Sequence, residues 1–280
     1  MTVLEPASLS TLRSRVFGLL ALLMFLAGLF TALDFSHMYM ALIDHVPHDA
    51  WPNTLGQTSA WVRMLRSVLC LVLVLMIGPA TWLRKWDDRL LTGAFLCAIL
   101  GDSFLIFCGG APPWVFMLGV AAFLACHGIL TVRHMRGFMD DLGKPGVLAR
   151  LVIAAVLITA ASGGLLWAFR GVIEPPLDVP YGAALSLSLW AAVGAAIRAD
   201  DNDFPSANRW LIAVGLALFY ICDVALGMKV RLVQSEGHTP LALCMGMVPD
   251  LTYSWALIGL ALSGFRWDAL TGRQRPPRPA

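Results

Sequence analysis

The sequence predicts an all-α fold: a polytopic membrane helix bundle of eight transmembrane helices, with both ends on the cytoplasmic side. Three observations lead there. Of the 280 residues, 58% are hydrophobic and only 14% are charged, whereas a soluble domain is about half apolar and about a quarter charged. The mean hydropathy is +0.73. The apolar residues are gathered into eight runs of about 18 to 28 residues, each long enough to cross a hydrocarbon core about 30 Å thick. Such a chain has too little polar surface to cover itself in water.

The runs separate at charges, prolines and glycines, and the spans are read as 16–43, 61–83, 90–108, 113–132, 148–169, 180–197, 209–228 and 241–265. The first stays apolar through Leu33 to Ile43, beyond the h-region of about 7–15 residues of a cleaved signal, and is expected to be retained. Residues 1–271 then form a single transmembrane domain, and 272–280, rich in Arg and Pro, a flexible cytoplasmic tail. With the N-terminus inside, 15 of the 20 Lys and Arg fall on the cytoplasmic side and 5 on the other. This is the asymmetry the positive-inside rule requires, and an odd number of spans breaks it. A multi-pass protein of a bacterial inner membrane is expected. The net charge of +2 and the lack of a basic stripe exclude nucleic acid as a partner. Six cysteines lie in or beside apolar runs with no CxxC spacing, and are read as small buried thiols.

Function is sought where polarity is expensive. A charged carboxylate at the centre of a membrane helix costs about 2.5–3.5 kcal/mol on insertion scales, so it faces a cavity or a partner. Asp34, Asp102, Asp223 and Asp250 stand inside the runs, with His37, His127, Tyr220 and Tyr253. A rise of about 1.5 Å per residue puts Asp102, Asp223 and Asp250 about 18, 21 and 22 Å from the cytoplasmic ends of their spans, a shared level in the outer half of the bilayer. The same count puts Asp34 near the outer mouth and His127 only about 8 Å in, apart from the others. Each has a plainer reading as well: Asp250, after Pro249, as a kink or cap residue, and His127 as an interhelical hydrogen-bond donor. His45 and His48, with Asp44 and Asp49, read as a solvated loop. Gly101-Asp102-Ser103-Phe104-Leu105 and Cys222-Asp223-Val224-Ala225-Leu226 share a small-Asp-x-x-Leu pattern on the third helix of each four-helix half, and parallel repeats of this kind place sites at the repeat interface.

The same residues carry a family resemblance. Leu100 to Leu105, reading LGDSFL, resembles the Gly-Asp signature of the YhhN-type lysoplasmalogenase family, and GVAAFLACH from Gly119 to His127 resembles its next helix. Phe219 to Leu226, reading FYICDVAL, is similar to its later Phe-x-x-Ser-Asp-x-x-Leu element, with Cys222 in place of Ser. Tyr253 matches in the last helix. The chain departs from the family at Arg66-Ser67, where Lys-Pro is common, at Leu130, where a Tyr is expected, and at Leu257, where a Gln or His is.

The resemblance implies eight helices and hydrolysis of the vinyl-ether bond of lysoplasmalogens, lysoplasmenylcholine or -ethanolamine, to a fatty aldehyde and a glycerophospho-base. Asp102 and Asp223 would be the catalytic pair, one delivering a proton to the alkene and one remaining ionised to orient water. His127, Tyr220, Asp250 and Tyr253 would support them or guide the substrate. Neither a cofactor nor a metal is expected; the partners are a lysophospholipid substrate and membrane lipids. Two other classes stay open: a proton-coupled carrier with an acid relay, and a metal-dependent intramembrane lipid hydrolase using Asp34, His37, Asp102 and His127.

Overall fold

The structure, a computed structural model, describes residues 14–29, 31–32, 53–77, 85–107, 112–144, 146–171, 175–198, 206–236, 239–265 and 267. Their regular structure is helical: α1 (Ser14–Leu29), α2 (Asn53–Ile77), α3 (Lys85–Phe107), α4 (Pro113–His134), α5 (Phe138–Asp141), α6 (Val147–Ala168), α7 (Pro175–Ile197), α8 (Ser206–Glu236) and α9 (Pro240–Leu262). All but α1 and the single turn α5 are long and apolar enough to cross a membrane, seven helices among the described residues. The chain is an integral multi-pass membrane protein. The expected mouth and loop residues Asp34, His37, His45 and His48, and the tail 272–280, lie outside the described residues.

Local chemistry sets the helix ends. Pro113 and Pro240 open α4 and α9 at a position whose N–H has no partner within the helix. Thr239 caps α9 by accepting from the Ala242 amide at 3.2 Å. Gly137 and Gly146 take φ of 67° and 78° on either side of α5, a left-handed turn that folds α4 back toward α6.

The helices depart from the expected spans in instructive places. α7 begins at Pro175 and runs through Pro180, which was expected to start it; so near an N-terminus a proline removes little of the hydrogen-bond ladder. α8 passes Met228 and continues to Glu236, so Lys229 and Arg231 belong to the helix rather than a loop. Its 31 residues span about 46 Å, more than the hydrocarbon core needs. α2 begins at Asn53, eight residues before the expected start at 61, so Arg63 and Arg66 stand about three turns into the helix rather than at its outer end.

Packing explains which faces are apolar. α2, α3, α4, α7, α8 and α9 close into a ring, each against the next, and α6 lies outside against α7. Accordingly α6 buries Val147, Leu151 and Ala154 but exposes Leu148, Val152, Ile153, Val156 and Leu157, the surface a lipid-facing helix presents. α8 and α9 share the most extensive interface, where Gly215 and Gly259 meet: a Cβ on Gly215 would stand 3.2 Å from the Leu260 amide nitrogen. Small residues permit this approach.

At the end of the ring where α4, α7 and α9 finish, several basic residues counted as loop charges prove to be buried clamps. Arg133 is fully buried and grips Asp87 through Nε at 3.1 Å and a terminal nitrogen at 3.2 Å, with another terminal nitrogen donating to Ser263 Oγ at 2.8 Å. Arg198 donates to the carbonyls of His134 and Arg136 at 2.6 and 2.9 Å. Asn208 does the same for Ser263 and Phe265. Helix C-terminal carbonyls lack partners within their own helix, and these side chains supply them.

Candidate active site

Each of the six ring helices sends polar atoms inward. On α3, Asp102 Oδ2 accepts from Ser67 Oγ of α2 at 2.5 Å and from the Tyr253 hydroxyl of α9 at 2.9 Å. On α8, Asp223 Oδ2 accepts from the Tyr181 hydroxyl of α7 at 2.9 Å and lies 3.1 Å from His127 Nε2 of α4. The two carboxyls are 6% and 7% exposed. Each therefore has one oxygen held by two groups, one of them a tyrosine. Among the described residues, no protein group bonds the other oxygen. Such satisfaction is what makes a carboxyl tolerable in a membrane interior.

Between the two sets stands an aromatic cluster. The rings of Phe123, Phe219 and Tyr253 contact one another edge-on, with centroids 5.4 to 6.4 Å apart, and the His127 ring meets Phe219 at a tilt, 4.7 Å between centroids. Gly101 makes this possible, since a Cβ there would stand 2.6 Å from the Phe123 ring. The glycine beside Asp102 thus seats the Phe123 ring of α4 against α3. Arg66 is buried too, its guanidinium 4.9 Å over the Tyr253 ring and donating to Ser254 Oγ at 3.0 Å.

His127 was expected apart from the acids by depth, and the structure corrects this: it touches Asp223. A residue count measures length along a helix axis; it becomes depth only if the helices begin in one plane and run parallel to the normal. The ring helices differ in length by up to nine residues, from α4 to α8, so counted ends do not align. His127 Nδ1 is buried with no protein partner among the described residues. When Nε2 carries the hydrogen toward the carboxylate, Nδ1 is the unprotonated, basic nitrogen.

Asp250 and Tyr220 bond neither carboxyl. Asp250 pairs with Arg63 at 3.0 Å, linking α9 to α2. Tyr220 bonds Ser162 of α6 at 2.6 Å, and Ser162 bonds Ser186 of α7 at 2.8 Å, a staple of three helices. Ser67, Tyr181 and Arg66 escaped sequence reasoning as site residues. Arg66-Ser67 registered only as a departure, and Tyr181 follows the proline taken for a helix start. No three His, Cys, Asp or Glu side chains among the described residues gather as a metal site would require.

A groove opens on the outer face of this site between α6, α7 and α8. Its α8 wall carries Tyr220, Asp223, Val224, Gly227, Met228 and Arg231, and its α7 wall Asp178, Tyr181, Gly182 and Leu185. Both sets follow the three-and-four spacing of one helix face. Of the two buried carboxyls it reaches Asp223, and its walls are mostly apolar. An amphiphile with a polar end fits that lining.

No curated protein and no solved structure matches the chain. A family model does, over residues 59–264, from α2 to the end of α9. That stretch holds most of α2, the other five ring helices whole, both buried carboxyls and the groove, and it is well over half of the 280 residues: the chain belongs to the YhhN family.

Proposed function

We propose that the protein is a membrane-embedded hydrolase that cleaves the vinyl-ether bond of lysoplasmalogens, releasing a fatty aldehyde and a glycerophospho-base. The observation that carries this reading is a lipid-facing groove ending on one of two membrane-buried carboxyls, within a chain of the YhhN family. The reaction needs little equipment. A proton adds to the β-carbon of the alkene, leaving an oxocarbenium ion at the carbon bearing oxygen. Water attacks that carbon and loses a proton, and the resulting hemiacetal collapses to aldehyde and alcohol. One molecule of water is consumed and the proton is returned.

Asp102 and Asp223 are the acid–base pair in this reading. One supplies the proton; the other, ionised, faces the developing positive charge. His127 sits at Asp223, a triad-like pairing in which a carboxylate orients an imidazole and stabilises it when it takes a proton from water. Eight spans, N- and C-termini inside, and a bacterial inner membrane complete the reading.

The test uses purified full-length protein in micelles with lysoplasmenylethanolamine, aldehyde release being followed by mass spectrometry. Asp102→Asn and Asp223→Asn are each expected to lower kcat by roughly 10²–10⁴-fold, the range of acid–base contributions, with thermal unfolding unchanged. Full activity in either variant overturns the mechanism. A chelator is expected to leave turnover intact. Loss restored by zinc would instead establish the metal-dependent hydrolase, and counterflow in proteoliposomes without turnover would establish a carrier.

A further inference from the structure

The groove has a second polar feature that the reaction leaves unused. At its rim Arg231 grips Asp178 in a bidentate fork, Nε to Oδ2 and a terminal nitrogen to Oδ1, both at 3.1 Å. The pair is neither buried nor fully solvated, with side chains 12% and 27% exposed. A structural tie between α7 and α8 already exists deeper in, where Tyr181 meets Asp223. What distinguishes the rim pair is its place: both residues line the same groove as Asp223, on the same faces of their helices.

The spacing has chemical meaning. Arg231 follows Asp223 by eight residues, about 12 Å along the axis. Side chains on a helix lean toward its N-terminus, so the long Arg231 side chain leans toward Asp223 and shortens that gap. The remainder is a distance a glycerol phosphate spans. Asp178 precedes Tyr181, the donor to Asp223, by one helical turn on the opposite wall. One wall of the groove thus offers a fixed cation and the other a fixed anion, at the end away from the catalytic carboxyl.

Resting on the lysoplasmalogen reading, we infer that Asp178 and Arg231 form the headgroup site of this chain: Arg231 takes the phosphate, and Asp178 the ammonium of a zwitterionic base. A planar guanidinium suits phosphate oxygens bidentately, and a carboxylate released from that fork faces the cationic end of the same headgroup. The bound lysolipid then lies along the groove with its ether linkage toward Asp223 and its chain leaving between α6 and α7 past Leu165, Leu166 and Leu185. An anionic headgroup without an ammonium meets the arginine but is repelled by Asp178. The pair therefore sets specificity as well as position.

The test reads binding rather than turnover. Full-length protein in micelles is titrated with two non-cleavable probes, a 1-O-alkyl-glycerophosphoethanolamine and a 1-O-alkyl-glycerol-3-phosphate, followed by native mass spectrometry. Arg231→Gln is expected to weaken both by about 10- to 100-fold, the value of a charge-assisted hydrogen bond. Asp178→Asn is expected to weaken the ethanolamine probe but leave the phosphate probe bound as tightly or more so. The double variant Asp178→Arg with Arg231→Asp keeps an ion pair and guards against misfolding. If the pair were merely structural, the swap would restore ethanolamine binding to the wild-type level; that outcome, or unchanged binding in Arg231→Gln, overturns the inference. Failure of vinyl-ether cleavage by wild-type protein that still binds both probes would sink the reaction and leave this site standing.

Discussion

At the scale of single residues, the two acids differ in company more than in burial. Asp102 is held by two hydroxyls, Asp223 by a hydroxyl and an imidazole. Tyr181→Phe removes one donor from Asp223 and leaves the ring in place. A hydrogen bond to a charged group is worth about 1.5–3 kcal/mol, so kcat should fall roughly 10-fold or more. Tyr220→Phe loses a hydroxyl that bonds Ser162 rather than a carboxyl, and kcat should stay within about threefold. Measuring both variants side by side checks the assignment; equal losses would mean that the groove wall, not the carboxyl, is what the tyrosines serve. The acids themselves were legible in the sequence because charge inside an apolar run is conspicuous. Their donors were not. Serine and tyrosine are unremarkable in a membrane helix, and which of them faces an acid depends on helix rotation, which composition does not encode.

At the scale of elements, helices are joined by two unlike devices. α8 and α9 cross where glycine faces glycine, and a Cβ on Gly215 would stand 3.3 Å from the Ala256 carbonyl oxygen and 3.0 Å from Leu260 Cγ. Gly215→Val pushes the helices apart, and overpacking of this sort costs about 1–3 kcal/mol; a lowered Tm in micelles checks it. The other device is ionic. Arg133 and Asp87 are both fully buried, and losing Arg133 leaves the Asp87 carboxylate with only the longer 3.5 Å contact to Arg136, at up to about 3–5 kcal/mol. Arg133→Met should therefore lower Tm sharply, and adding Asp87→Leu should recover much of the loss, because neither charge then remains in the interior. A double variant as unstable as the single one would contradict this. Apolar runs located every long helix, yet placed several ends wrongly. The reason is physical: α8 continues beyond the core with charged residues on it, and a hydropathy boundary marks where the solvent changes, not where the helix stops. Arg231 was overlooked as part of the groove for that reason.

At the scale of the molecule, six helices form the ring and none is dispensable to the site. Ser67, Asp102, His127, Tyr181, Asp223 and Tyr253 come one each from α2, α3, α4, α7, α8 and α9. The matched family region begins within α2 and so contains this ring without α1. α1 lies outside that machinery, though Val16, Leu23 and Ala27 are buried on one of its faces. Its described stretch is too short to cross a hydrocarbon core straight. The orientation of the whole therefore turns on whether α1 continues across. If it does, eight spans put both ends on one side, and the 15 cationic residues counted inside keep that side cytoplasmic. On that orientation α8, from Ser206 to Glu236, runs outward, and the groove rim at Arg231 opens toward the outer leaflet. Fusing green fluorescent protein to either end of the chain in a bacterial host is expected to give fluorescence from both, and alkaline phosphatase fused after Glu236 is expected to be active. Fluorescence from the C-terminal fusion alone would reduce the bundle to seven spans with the N-terminus outside. The ring, the groove and the outward-facing rim would all survive that result, because the seven helices that build them keep their own charge asymmetry.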